Sequence, residues 1–366
     1  MKMKKSISIL LLFFISFSAL FGLVGCDDDN PNGDKEYKTR SAYVSYVHFN
    51  TVSIISTYGD TSEKEFNEYV KIADETLGYY HKLFDIYFEY SGVNNIRTIN
   101  KKAGKEAVKV DRELIDFLLY CKELYTVTKG KTNIMLGSVL SIWHDTREIA
   151  DDNFGFITSD EIPTEAELRQ AAEHTSIDLL VIDRENSTVY ITDPKASIDV
   201  GAIAKGYAAQ KLADKLRSLG ADNMVINAGG NIITIGLMPD GSNWSTGLTN
   251  PHSTSNDDRI ICTLEIGETA LVTSGNYERY FIYDGVRYHH IIDPETLMPA
   301  EYFASISIFT KESGFADALS TALFCMSYEE GLALVNSIGG IEVLWIDNNG
   351  NMTYTDGLKG KIKDIK

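Results

Sequence analysis

Apolar residues recur along the chain in two rhythms. From Phe66 onward, Phe66, Tyr69, Val70, Ala73, Leu77, Tyr80 and Phe84 are spaced mainly by three and four, which is one buried face of a long helix. Ser62 with Glu65 opens it as a capping box. A second helix starts near Asp111 and buries Leu114, Phe117, Leu118, Cys121 and Leu124. Thr164 and Glu167 cap a shorter one. Residues 204–219 put Ala208, Leu212, Leu216 and Leu219 on one face, and Gly220 ends that helix. Further helices fall over 316–326 and after the box Ser327/Glu330. The other rhythm has period two or is a short apolar run. It predicts one or two strands in 43–57, then strands at 179–182, 189–192, 197–200, 224–228, 232–235 and 343–346. Asp284-Gly285 between 280–283 and 286–292 reads as a hairpin. Strands come in hairpins and helices in pairs, so the class is α+β rather than alternating βαβ.

The first 25 residues follow a different logic. Lys2, Lys4 and Lys5 precede an uncharged run from Ile7 to Val24, the pattern of an export signal. The run is also long enough for a short membrane helix. Leu23-Val24-Gly25-Cys26 resembles a bacterial lipobox and favours cleavage with lipidation, including a palmitate chain, at Cys26. The acidic, turn-rich stretch from Asp27 suits a tether. The organisation expected is therefore a lipoprotein signal peptide at 1–25, a flexible tether at 26–41 and one domain at 42–366. Such a protein sits at the cell membrane, lipid-anchored on the extracytoplasmic face.

Composition narrows the partners. The chain has 366 residues, 44 % hydrophobic, ample for a core. The formal charge is 34 − 52 = −18, and loss of the three leader lysines takes it to about −21. So acidic a surface repels phosphate backbones, which argues against nucleic acid. Any phosphate ligand needs a local device such as a helix start, a lysine or a metal ion. Cys121, Cys262 and Cys325 cannot all pair and show no CxxC spacing, which disfavours a disulfide framework and a zinc site.

Four clusters could carry chemistry. In 197–207, Asp199 closes a strand and Lys205 sits in the first turn of a helix after small residues, a place for an anion; a plain strand-to-helix turn fits as well. Asn227-Ala228-Gly229-Gly230-Asn231 permits close backbone approach, or is only a hairpin turn. His289 and His290 are adjacent on a strand and point to opposite faces, so one can line a pocket while the other meets a neighbouring strand or solvent. Asp317 and Thr321 are four apart on a helix, so their oxygens can converge as hard ligands for Mg²⁺. Alternatively, Thr321 bonds its own backbone and Asp317 is exposed.

Their order and wording carry more than any one cluster. The phrases SIDVGAIAKGYAAQKLADKLRSLGADNMVINAGGNIITIG, TSGNYERYFIYDGVRYHHIIDPETLMPA and ADALSTALF together resemble the ApbE family of FAD:protein FMN transferases, over about residues 43–347. The resemblance implies an ApbE-like fold with mixed or antiparallel sheets, paired helices and an FAD/metal cleft. It implies FAD as substrate with Mg²⁺ or Mn²⁺, and FMN attached through a phosphoester to Thr or Ser of a target protein with release of AMP. Carried over by motif, the metal set would be Ala202, Asp317, Ser320 and Thr321. FAD would meet Asn100, Lys131, Thr132, Asn133, Asp199, Lys205 and Ile291. His290 would be the general base or orienting group. The acceptor would be a flavoprotein subunit of a membrane redox complex or an extracytoplasmic reductase. The sequence departs from the family at Asn133, where an aspartate is usual, and at Phe49-Asn50-Thr51 in place of Met-Gly-Thr. Two other functions fit the same residues: an FAD pyrophosphatase giving free FMN and AMP, and a flavin-binding lipoprotein without catalysis.

Overall fold

A computed structural model describes residues 38–155 and 157–365. The signal peptide, Cys26 and most of the tether lie outside the described residues. The helices are α1 Glu63–Phe84, α2 Ile96–Lys101, α3 Arg112–Val127, α4 Gly137–Asp152, α5 Glu165–Ala172, α6 Ala204–Ser218, α7 Ser313–Phe324 and α8 Tyr328–Ile338. The strands are β1 Thr39–Ser45, β2 Ser53–Tyr58, β3 Val108–Lys109, β4 Leu180–Asp183, β5 Thr188–Ile191, β6 Met224–Ala228, β7 Asn231–Ile235 and β8 Trp244–Thr249. They continue with β9 Ile260–Ile266, β10 Ala270–Gly275, β11 Tyr280–Tyr283, β12 Val286–His289, β13 Phe303–Thr310, β14 Glu342–Asp347, β15 Met352–Tyr354 and β16 Ile362–Lys363.

Eight strands form one antiparallel sheet in the order β1-β2-β6-β7-β10-β13-β14-β15. Its central strands are buried on both faces, which explains apolar runs in place of strict alternation. Met224 and Ile226 enter the core shared with α1, α3 and α6, whereas Val225 faces the opposite side. On β14, Val343 and Trp345 pack with α7 and α8, while Leu344 and Ile346 face the small sheet β16-β9-β8. The result is three layers, helices on sheet on sheet, in the α+β class. A fourth cluster, around Trp143, Phe281 and Leu297, joins α4 and α5 to the β11–β12 hairpin.

Local signals mostly operate as the sequence implies. Thr164/Glu167 and Ser327/Glu330 close reciprocal capping boxes. Ser62 accepts from the Glu65 N–H, but the Glu65 carboxylate accepts from Tyr69 Oη instead of returning to the cap, so that box is half formed. Asp284 and Gly285 both take positive φ, as a tight hairpin turn requires. Residues 197–200 differ from expectation. They are extended but join no ladder; side chains and a loop hold them instead, as described below. Cys121, Cys262 and Cys325 are free and buried, each in a different core. Among the described residues no helix is long and apolar enough to cross a membrane.

Candidate active site

The site begins where α6 crosses α7. Gly206 lies at the closest approach: a side chain there would collide with the Ser313 carbonyl oxygen and come within 2.7 Å of Asp317 Cβ. In a regular helix the Gly206 N–H would donate to the carbonyl of Ala202. Here it donates to Asp317 Oδ2 at 2.8 Å. No described donor takes its place, so the Ala202 oxygen is left open. The other Asp317 oxygen, Oδ1, lies 3.7 Å from Lys205 Nζ. Thr321, one turn on, makes no side-chain hydrogen bond among the described residues, so its hydroxyl does not bond its own backbone. Asp317 is buried rather than exposed, at 4 %. The Ser320 hydroxyl donates to the Asp317 carbonyl and shares a hydrogen bond with Ser274 Oγ at 2.8 Å. It braces the turn more than it offers a free ligand. An open carbonyl, a fixed carboxylate and a free hydroxyl are hard oxygen donors of the kind Mg²⁺ takes. Among the described residues there is no cluster of three His, Cys, Asp or Glu, so a softer metal has no obvious set.

The N-terminus of α7 is fixed by side chains from two other helices. The Glu312 carboxylate accepts from the Gly314 and Phe315 N–H groups and from Tyr120 Oη on α3. Gln210 Oε1 on α6 accepts from the Ser313 N–H at 2.9 Å. The Ala316 N–H reaches the Glu312 carbonyl. The first three N–H groups of the helix thus have side-chain acceptors, and Ala316 begins the regular ladder.

A second wall is the segment 197–200. Asn100 brackets it: its Nδ2 donates to the Ile198 carbonyl at 2.9 Å and its Oδ1 accepts from the Ile198 N–H at 2.8 Å. Both polar ends of Asn100 are thus used on the backbone. The Asp199 N–H donates to the Ile134 carbonyl, and Asp199 Oδ1 accepts from the Gly201 N–H. Asp199 Oδ2 lies 4.0 Å from His144 Nε2, and His144 Nδ1 meets Tyr87 Oη at 3.4 Å. The neighbouring loop spends its side chains internally. Lys131 pairs with Asp293 and Glu295, both at 3.1 Å. Thr132 donates to the Ala318 carbonyl on α7 at 2.6 Å. Asn133 donates to the Thr175 carbonyl and accepts from the Met135 N–H. Only the backbone of 131–133 is left to meet a ligand.

The two histidines divide as strand geometry requires. His289 is buried; its Nε2–H donates to the Ala300 carbonyl and its Nδ1 accepts from the Ile291 N–H. It is a structural residue. His290, on the other face, has a Nδ1 that is buried without any protein partner. Burial holds its pKa well below the usual histidine value, and Arg279, His289, Arg147 and Lys205 add to the effect. The Ile291 side chain lies in the core with Val272, Phe303 and Leu319, so only its backbone is near the site.

One part of this cleft carries no local signal in the sequence. Tyr87 lies in the loop after α1, and His144 and Arg147 lie on α4, where no local pattern marks them. Burial lowers the His144 pKa, against the pull of Asp199. Burial also lowers the Arg147 guanidinium, and Arg279 lowers it further. Glu278 carries a carboxyl raised by desolvation, opposed by Lys205 and Arg279. Arg147 and Arg279 are thus two cations close enough to disfavour one another. Cavities of about 280 and 230 Å³ lie elsewhere, against α1 around Tyr79.

Fold and site together define a class: an α+β protein with an oxygen-donor turn beside a lysine, and a buried histidine with an unpartnered ring nitrogen on the hairpin next to it. The ApbE family model matches residues 49–345, and the chain belongs to that family. It is similar to the FAD:protein FMN transferase of Treponema pallidum, 31 % identical over 282 residues, covering 73 % of this chain and 75 % of the relative. The enzyme of the same name from Haemophilus influenzae is 25 % identical over the whole of both chains. Among solved structures, an ApbE protein from Thermotoga maritima superposes with a TM-score of 0.74 at 26 % identity, covering 90 % of this chain and all of the other. Flavin transferase ApbE from Vibrio cholerae gives 0.71 at 27 % identity, covering 88 % and 98 %.

Proposed function

We propose that the protein is a metal-dependent FAD:protein FMN transferase, anchored by lipid at Cys26 on the outer face of the cell membrane. The observation that carries the activity is the Gly206–Asp317 bond, which leaves the Ala202 carbonyl open beside a fixed carboxylate and the free Thr321 hydroxyl. Mg²⁺ or Mn²⁺ held there would supply charge neutralisation to a pyrophosphate. Lys205 sits beside the same carboxylate to bind the phosphates. His290, neutral and with an unpartnered nitrogen, suits a proton acceptor. In the reaction the acceptor hydroxyl oxygen bonds to the FMN phosphorus and the bond from that phosphorus to the AMP phosphate oxygen breaks. The hydroxyl proton passes to His290 and AMP leaves. Asp199 and the 131–133 backbone hold the remainder of FAD in place, and Asn100 acts through Ile198 by fixing the segment that carries Asp199.

The test is intact-protein mass spectrometry of candidate flavoprotein domains incubated with the full-length protein, FAD and Mg²⁺. A gain of one FMN phosphoester with matching AMP supports the transferase. Free FMN and AMP with every acceptor unmodified would make it a pyrophosphatase. Intact FAD in the presence of Mg²⁺ would leave a binding protein. The anchor is tested separately: Cys26→Ala is expected to move the protein from the membrane to the soluble fraction and to abolish palmitate labelling.

A further inference from the structure

The β11–β12 hairpin runs into the candidate site with one edge free. The His290 N–H donates to the Arg279 carbonyl at 3.0 Å, so these two residues form a hydrogen-bonded pair. Antiparallel alternation then bonds 281 to 288 and 283 to 286, and turns the N–H and C=O groups of Tyr280 and Ile282 outward. Nothing among the described residues pairs with that edge; the hairpin is a two-stranded sheet by itself. Natural sheets usually blunt such an edge with charge, proline or a cover. Here the outward residues are an exposed tyrosine and an exposed isoleucine.

Alternation also sorts the side chains. Arg279 and His290 share the face turned towards α4. Arg287, Ile282 and Tyr280 share the other, with the Arg287 guanidinium 4.5 Å from the Tyr280 ring and donating to Asn276 Oδ1. Among the described residues neither Arg279 nor Arg287 forms an ion pair with a carboxylate, although the chain has 52 acidic residues. Each face of the hairpin thus offers a cation without a carboxylate partner, on a protein that is otherwise strongly acidic.

We infer that this edge docks the acceptor: an extended segment of the protein substrate adds to β11 as a third strand, its Thr or Ser hydroxyl on the face of His290. Main-chain bonds to Tyr280 and Ile282 give affinity, and the two arginines select a segment with acidic residues around the hydroxyl. The inference rests on the transferase reading and names the partner of that site.

The experiment uses the full-length protein with FAD, Mg²⁺ and short synthetic peptides carrying a central threonine, one set flanked by aspartate and one by lysine. Two signals are read: peptide mass gain of one FMN phosphoester, and AMP release without peptide. The wild type is expected to modify the acidic set faster. Ile282→Pro removes an outward N–H that no hairpin bond uses, so peptide labelling is expected to fall about tenfold or more while peptide-independent AMP release stays within about twofold. Arg287→Glu is expected to reverse the preference between the two sets, and it covers the case in which proline disturbs the hairpin. Wild-type labelling rates in both variants overturn the inference. So does a wild type that labels a folded flavoprotein domain but no peptide. A wild type that releases AMP and labels neither overturns the transferase reading itself.

Discussion

At the scale of single residues, chemistry is set by which polar atoms are already occupied. Asp317 has one oxygen committed to Gly206 and the other near Lys205. Asp317→Asn keeps an acceptor for the Gly206 N–H but removes the charge. Metal-dependent FAD cleavage is expected to fall about a hundredfold or more, and Mn²⁺ binding read by electron paramagnetic resonance to weaken in step. An unchanged Mn²⁺ affinity would reject the metal assignment. His290 gives a prediction with a sign. Its proton-accepting form is the neutral ring, and burial with nearby cations lowers its pKa. The acid limb of the cleavage rate is therefore expected well below pH 6.5 and absent from the His290→Ala variant. A limb at or above the ordinary histidine value would move the base elsewhere. Asn100 offers a contrast, because both its polar ends serve Ile198. Asn100→Ala is expected to cost about 1–3 kcal/mol in stability by leaving those backbone groups unsatisfied, and thermal unfolding measures it.

At the scale of elements, the decisive contact is between α6 and α7. Gly206→Ala must push the helices apart, since its Cβ would meet Ser313 and Asp317. It is expected to destabilise by about 1–3 kcal/mol and to separate Ala202 from Asp317, raising the metal concentration needed for turnover. What the sequence disclosed about these elements follows from their physics. Helices with one apolar stripe and a capping residue, such as α1, α3 and α8, were legible at their starts, where Ser62, Asp111 and Ser327 cap them. Asp317 and Thr321 were legible as one helical face, and the histidine pair as two strand faces. The helix α4 was not, because its N-cap, Leu136, has no side-chain oxygen to offer and its apolar positions are broken by polar ones. Its Tyr87-facing histidine and Arg147 were lost with it. Strand β13 alternates Ala304, Ile306 and Ile308 with Ser305 and Ser307, yet its serines are buried as well, Ser307 in a hydrogen bond with Thr273, so the alternation does not mark a solvent face. Residues 197–200 look like a strand by composition, yet their partner is the amide of Asn100. No local pattern discloses a bond across 98 positions. The missing aspartate at Asn133 has a structural answer: the side chain ties the 131–133 loop to Thr175 and to its own backbone at Met135.

At the scale of the whole molecule, the central sheet is covered on both sides and its layers hold separate cores. One consequence concerns sulfur. Cys121 lies in the helical core, Cys325 in the core beneath α7 and α8, and Cys262 between the two sheets. Burial raises all three thiols, Cys262 to about 11, so each is scarce as thiolate and closed to reagents in the folded protein. Each therefore becomes a reporter of the opening of its own layer. Timed alkylation under native conditions, read by peptide mapping, is expected to label none of them at once. At rising denaturant it should label each at the rate of its own layer's opening. Three coincident rates would describe a molecule that opens as one unit; three separate ones would rank the layers by local stability.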